Sequence, residues 1–184
     1  MTTLVIVLVI VGIFALFVMS VYNSLIGLKN RGDESWSGID TQLKRRYDLI
    51  PNLVETVKGY ATHEEKVFVE VTNARNMAMN AKTGKEHAAA ENMLSGALKS
   101  LFAVAEAYPD LKANQNFLDL QANLTQLEAD IQKARGYYNA VVRDLNTALE
   151  VFPNNIVAGM FGFHKRDFFE LGSEEEKNAP KVTF

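Results

Sequence analysis

Between residues 4 and 22 (LVIVLVIVGIFALFVMSVY) the chain is apolar apart from Gly12 and Ser20, whereas from Ile39 onward apolar residues recur at steps of three and four. In the stretch 39–59 (IDTQLKRRYDLIPNLVETVKG), Ile39, Leu43, Tyr47, Ile50, Val54 and Val57 stack on one face of an α-helix. Pro51 interrupts it. The ring removes the amide that would bond the Tyr47 carbonyl and predicts a kink over 48–51 that packing must hold. Gly59 is a suitable C-terminal stop, and Thr62-His63-Glu64-Glu65 has the form of a capping box in which Thr62 and Glu65 satisfy each other's backbone amides. So short a turn makes the two helices antiparallel neighbours.

Val67, Phe68, Val71, Ala74, Arg75 and Ala78 carry the second helix to about Ala81, with a polar hinge at 82–85. A third helix is expected over 86–108, with Met93, Leu94, Ala97, Leu98, Leu101 and Ala105 on its apolar side and Pro109 as its stop. The fourth runs from about Asn116 through Phe117, Leu120, Leu124, Leu127, Ile131, Ala134, Tyr138, Val141 or Val142, and Leu145 to Leu149, and Pro153 ends it. No sustained strict alternation points to strands. The fold class is therefore all-α, a transmembrane helix followed by an antiparallel bundle of about four long helices. Along the chain this divides into an anchor at 1–28, a bundle at 29–153, an aromatic segment at 154–171 and an acidic, then extended, tail at 172–184.

At ~1.5 Å per residue the apolar run spans roughly 28 Å, the thickness of a hydrocarbon core. A cleaved signal peptide would need a basic start and a small-x-small cleavage site, and neither is present. The anchor is thus retained and meets membrane lipid through residues 4–22. Tyr22 suits the interface, and Lys29 and Arg31 follow the span with no basic residue before it. By the positive-inside rule the N-terminus is outside and the domain is in the cytoplasm. The linking residues 23–38 keep helical spacing despite Gly27, Gly32 and Gly38, which favours a continuous helix over a break at 30–32.

Composition narrows the chemistry. The 184 residues include no cysteine, which removes disulfides, thiolate metal sites and thiol catalysis. A net charge of −3 with dispersed Lys and Arg gives no field for DNA or RNA, so no nucleic-acid partner is expected. His63, His87 and His164 lie on separate segments without ligand spacing, and no phosphate loop, nucleophile elbow or carboxylate pair occurs. No catalytic residue, cofactor or metal is expected, and Trp36, Tyr137 and Tyr138 are read as core aromatics. Lys44-Arg45-Arg46 lies roughly 30 Å past the bilayer exit if the helix is continuous, several times the ~8 Å Debye length. It is read as a solvated or ion-paired helix face, or as an inter-subunit contact.

The runs YNSLIGLKN, IDTQLKRRYDLIPNLVETVKGYATHE, VAEAYPDLKANQNFLDLQANL, RGYYNAVVRDLNTALEVFPNNIVAGMFGFHKRDFFE and the final PKVTF together resemble the LemA family over essentially the whole chain. The resemblance implies a membrane-anchored long-helix bundle of the bacterial cytoplasmic membrane, with no established enzymatic activity and no catalytic residues to transfer.

The aromatic segment poses the remaining question. Ile156, Val157, Met160, Phe161, Phe163, Phe168 and Phe169 would leave an apolar patch of several hundred Å2 if exposed, beyond what monomers usually tolerate. A second copy, the end of the chain's own bundle, or the bilayer with Lys165 and Arg166 toward headgroups could cover it, in that order of preference. Val182 and Phe184 form an extended apolar end suited to adding a strand to a partner. The expected role is a self-associating scaffold at the membrane, the alternative an accessory or sensor protein that binds a protein partner through its C-terminal segment.

Overall fold

The computed structural model describes residues 1–82 and 84–169. It is all-α, with no strand among the described residues. The helices are α1 (Thr2–Lys58), α2 (Glu65–Asn80), α3 (Gly84–Glu106), α4 (Pro109–Lys112), α5 (Gln115–Glu150) and α6 (Asn154–Met160). α1 runs unbroken through Gly27, Gly32, Gly38 and Pro51. Each glycine costs about 1 kcal/mol of helix propensity, which the buried stripe of Val21, Leu25, Ile39 and Leu43 outweighs.

Contacts divide the chain into two compact units, one from Met1–Gly38 and Gly136–Phe168, the other from Ile39–Arg135 and, among the described residues, Phe169. The second unit holds the main bundle. Arg75 donates to the Tyr47 carbonyl, Glu91 accepts from the Tyr47 hydroxyl, and the Phe102 and Phe117 rings meet edge to face at 6.3 Å. These pairs lie at similar distances from their connecting turns, so α2 is antiparallel to α1, α3 to α2 and α5 to α3. Leu43, Ile50, Leu53, Val57, Val71, Leu94, Leu101 and Leu111 form its fully buried interior.

Local details depart from expectation. No side chain caps α2, whose N-cap is Glu64, so the Thr62–Glu65 box does not form; the Glu64 amide bonds the Ala61 carbonyl instead. Gly59 is not left-handed, because the Tyr60 and Ala61 amides both bond the Val57 carbonyl and carry the turn without it. Met93 is half exposed, displaced from the apolar stripe by Ala90, Leu94 and Ala97. Pro109 both ends α3 and opens α4, standing where a helix has no use for its missing N–H.

In the first unit α1 and the end of α5 run antiparallel. Val21 and Leu25 pack with Leu145 and Leu149, and Trp36 meets Tyr138 edge to face at 5.4 Å. After α5 the chain turns at Phe152–Pro153, a cis peptide, into α6. Gly162, at φ +69°, is the left-handed residue that closes α6, with the Phe163 amide reaching back 3.0 Å to the Ala158 carbonyl. The chain then returns along α5. Asn146 holds Arg166 by a reciprocal pair at 2.9 Å, donating from Nδ2 to its carbonyl and accepting its amide on Oδ1, and the Tyr138 hydroxyl donates to the Asp167 carbonyl at 3.1 Å.

Candidate functional site

Two regions combine chemistry with exposure. The first is the α5–α6 elbow. Its inner side is core, since Val157 and Ala158 complete the cluster of Val21, Leu25, Leu145 and Leu149, and Phe163 packs half buried against it. This corrects the expectation that Val157 is a contact residue: as α6 folds back on α5, that position faces α1. Phe169 is likewise interior, 1% exposed with its ring 4.9 Å from the Arg135 guanidinium. Ile156, Met160 and Phe161 stay more than half exposed, as does Phe152, and Phe168 is 41% exposed. Val182 and Phe184 lie outside the described residues.

The elbow sits beside the end of the apolar stretch. The Tyr22 ring lies 4.8 Å from Phe161 and 5.8 Å from Phe163, and Val18 touches the same cluster. α1 is, among the described residues, the one helix long and apolar enough to cross a membrane, and its most apolar window has no buried residue. Lys165 pairs with Glu150, and Arg166 pairs with Asp33 while lying over Gly32. Both cations of this segment are therefore tied to the protein itself.

The second region is a buried ionic cluster in the main bundle. Of the solvated or ion-paired readings of the 44–46 run, Arg46 takes the ion-paired one and is buried, 4% exposed; its Nη1 lies 3.0 Å from both Glu91 Oε2 and Glu128 Oε2, and its Nη2 donates to Ser95 Oγ at 2.8 Å. Tyr47 donates to the other Glu91 oxygen. Burial holds the Glu91 carboxyl above the usual glutamate range although the Tyr47 hydrogen bond and Arg46 pull it down. Burial, and then Glu91 itself, push the Tyr47 phenol far up, so it acts only as a donor. Beside the cluster a cleft of about 700 Å3 opens between α3 and α5, with Arg46 and Arg135 among its lining residues.

Pro51 lies within the continuous α1, and the Tyr47 carbonyl that it deprives of an amide accepts from Arg75 Nε at 2.7 Å. Arg75 stands in register with the apolar residues of α2, and Arg46, Glu91 and Arg135 likewise stand on the apolar stripe of a helix, where a charge needs a partner; the sequence does not say which partner. Trp36 and Tyr138 are packed together, Tyr137 is exposed, and the three histidines do not converge. Among the described residues no group of three or more His, Asp or Glu is placed to hold a metal.

One apolar helix of membrane-crossing length leading directly into long helices defines an all-α protein with a candidate membrane span. The profile of the LemA family matches residues 35–184, and the chain belongs to that family. It is similar to Protein LemA of Metamycoplasma hominis, 25% identical over 169 residues, covering 90% of this chain and 76% of that protein. It is also similar to Magnetosome protein MamQ 2 of Paramagnetospirillum magneticum, 23% identical over 175 residues and 81% of this chain. Magnetosome protein MamQ of Magnetospirillum gryphiswaldense is 22% identical over 174 residues and 80% of this chain. The chain spans only 64% of the length of either MamQ protein.

Proposed function

We propose that this LemA-family protein is a non-enzymatic, self-associating scaffold on the cytoplasmic face of the bacterial inner membrane, with its N-terminus outside. The observation that carries the reading is the exposed apolar elbow of Ile156, Met160 and Phe161, with Phe168 further along, set beside the end of the span. Spans confine copies to one plane and hold their elbows at one height, so two elbows meet without the orientational search of a soluble protein. Contacts repeated around the membrane normal close into rings or extend into arrays.

The mass of the full-length protein in lipid nanodiscs or mild detergent tests this. A defined multimer is expected, and Met160→Ser with Phe161→Ser should reduce it to monomer while the far-ultraviolet circular dichroism stays helical. A monomeric wild type overturns self-association. A second reading, in which the elbow lies in the bilayer interface, is favoured by the Tyr22–Phe161 contact, because Tyr22 marks the interfacial level. It gains if the double substitution leaves the mass unchanged but abolishes quenching of a fluorophore at position 164 by lipid-borne quenchers. For orientation, a reporter active only outside the cytoplasm and fused after Phe184 should be silent; strong activity reverses the assignment.

A further inference from the structure

The cleft between α3 and α5 has its carboxylates already engaged. Glu91 is held by Arg46 and Tyr47, and Glu128 by Arg46. Arg135 lines the same cleft at 8% exposure, and neither its Nε nor its Nη1 meets a hydrogen-bond acceptor. Among the described residues no carboxylate pairs with it. Its close partner among the described residues is the Phe169 ring, which accommodates a cation without neutralising it. Burial lowers the hold of Arg135 on its proton, opposed at longer range by Glu128 and Glu91, yet a guanidinium stays charged in proteins. An unpaired buried charge is among the costliest features a fold can keep, and an anion is what relieves it.

The rest of the lining says which anion. Lys99 adds a second cation at an exposed position, Asn92 and Gln132 offer amides, and Leu98, Phe102 and Leu124 supply apolar wall. We infer that this cleft is a binding site for a small organic anion, a carboxylate whose charged head pairs with Arg135 and Lys99 and whose apolar body lies against Leu98, Phe102 and Leu124. The volume of about 700 Å3 falls within the range of small-molecule sites, and the mixture of apolar wall with few polar groups is their usual composition. Arg46 takes no part in binding: with Glu91, Glu128 and Ser95 around it, it shapes the wall. The site is lined wholly by residues of the main bundle, shares none with the elbow of the scaffold reading, and stands or falls independently of it.

The test uses full-length protein in a non-ionic detergent and three probes: hexanoate, the uncharged hexanamide and inorganic phosphate, read by calorimetric titration and by the shift in melting temperature. Hexanoate should bind saturably, at least tenfold tighter than hexanamide and severalfold tighter than phosphate. Arg135→Gln should weaken hexanoate at least tenfold without lowering the ligand-free melting temperature, whereas loss of a merely structural arginine would lower it. Equal binding of hexanoate and hexanamide, or hexanoate binding unaffected by Arg135→Gln, overturns the site; phosphate binding as tightly as hexanoate overturns the apolar body. If Arg135→Gln does not fold, Lys99→Gln at its exposed position decides: a threefold or greater weakening supports the site, and none overturns it.

Discussion

Glu91→Ala should destabilise the main bundle by about 3–5 kcal/mol, the cost of removing one partner of a buried ion pair. Two groups are stranded at once. Arg46 keeps the Ser95 hydroxyl and, as its one remaining carboxylate among the described residues, Glu128, whose side chain is 40% exposed, and the Tyr47 hydroxyl loses the acceptor that its burial requires. Replacing the pair together, Arg46→Met with Glu91→Leu, should recover the ion-pair part of the loss, because an apolar pair of similar volume avoids desolvating either charge, while the Tyr47 hydroxyl still lacks its acceptor. Urea unfolding monitored by circular dichroism, compared across wild type and the two variants, measures both numbers. If Glu91→Ala alone falls within ~0.5 kcal/mol of wild type, the range of ordinary surface substitutions, the cluster is not structural. The sign of the pH effect follows from burial. The folded-state pKa of Glu91 lies above its unfolded value, so its contribution is greatest below the usual glutamate range and declines as pH rises through the folded-state pKa. The double variant should lose that part of the slope.

Arg75→Ala should cost about 1–3 kcal/mol, the penalty for leaving a buried acceptor without a donor. The acceptor is the Tyr47 carbonyl, which Pro51 denies its helical amide and which Arg75 satisfies at 2.7 Å. The coupling between the two residues is the discriminating quantity. With Pro51→Ala an amide becomes available four residues on, so Arg75→Ala made in that background should cost less by ~1 kcal/mol, within the range seen for residues sharing one hydrogen-bond network. Equal costs in the two backgrounds would show that Arg75 contributes by packing and not through this carbonyl.

Much of the architecture is legible in the residue order because local and tertiary preferences agree. The stripes of Ile39 to Val57 and of Phe117 to Leu149 have helical spacing and face a core, and their spacing alone brings out the helices. Positions where local chemistry had a rival are less readable. The Thr62–Glu65 pattern names a cap, yet α2 starts at Glu65 with Glu64 as its N-cap and no side-chain cap, and the turn before it runs on backbone bonds to Val57 and Ala61. The aromatic segment carries one apolar composition with two destinations: Val157 turns inward and Ile156 outward, and only the fold-back of α6 sorts them. Arg46 and Glu91 show the same limit. A charge on an apolar stripe signals a buried partner, but which helix provides it is a tertiary fact.

The first unit joins the beginning of the chain to its far end, and this sets an order of events during synthesis. Val21 and Leu25 leave the ribosome early, while their partners Leu145, Leu149 and Val157 come more than a hundred residues later. At bacterial rates that is a delay on the order of ten seconds. Residues 39–135, which form the main bundle, emerge within that interval, and their helices pair with near neighbours in sequence, so they fold first. The first unit closes last, as α6 docks onto α1. A chain that stalls before Pro153 would therefore be largely helical, yet would lack the elbow.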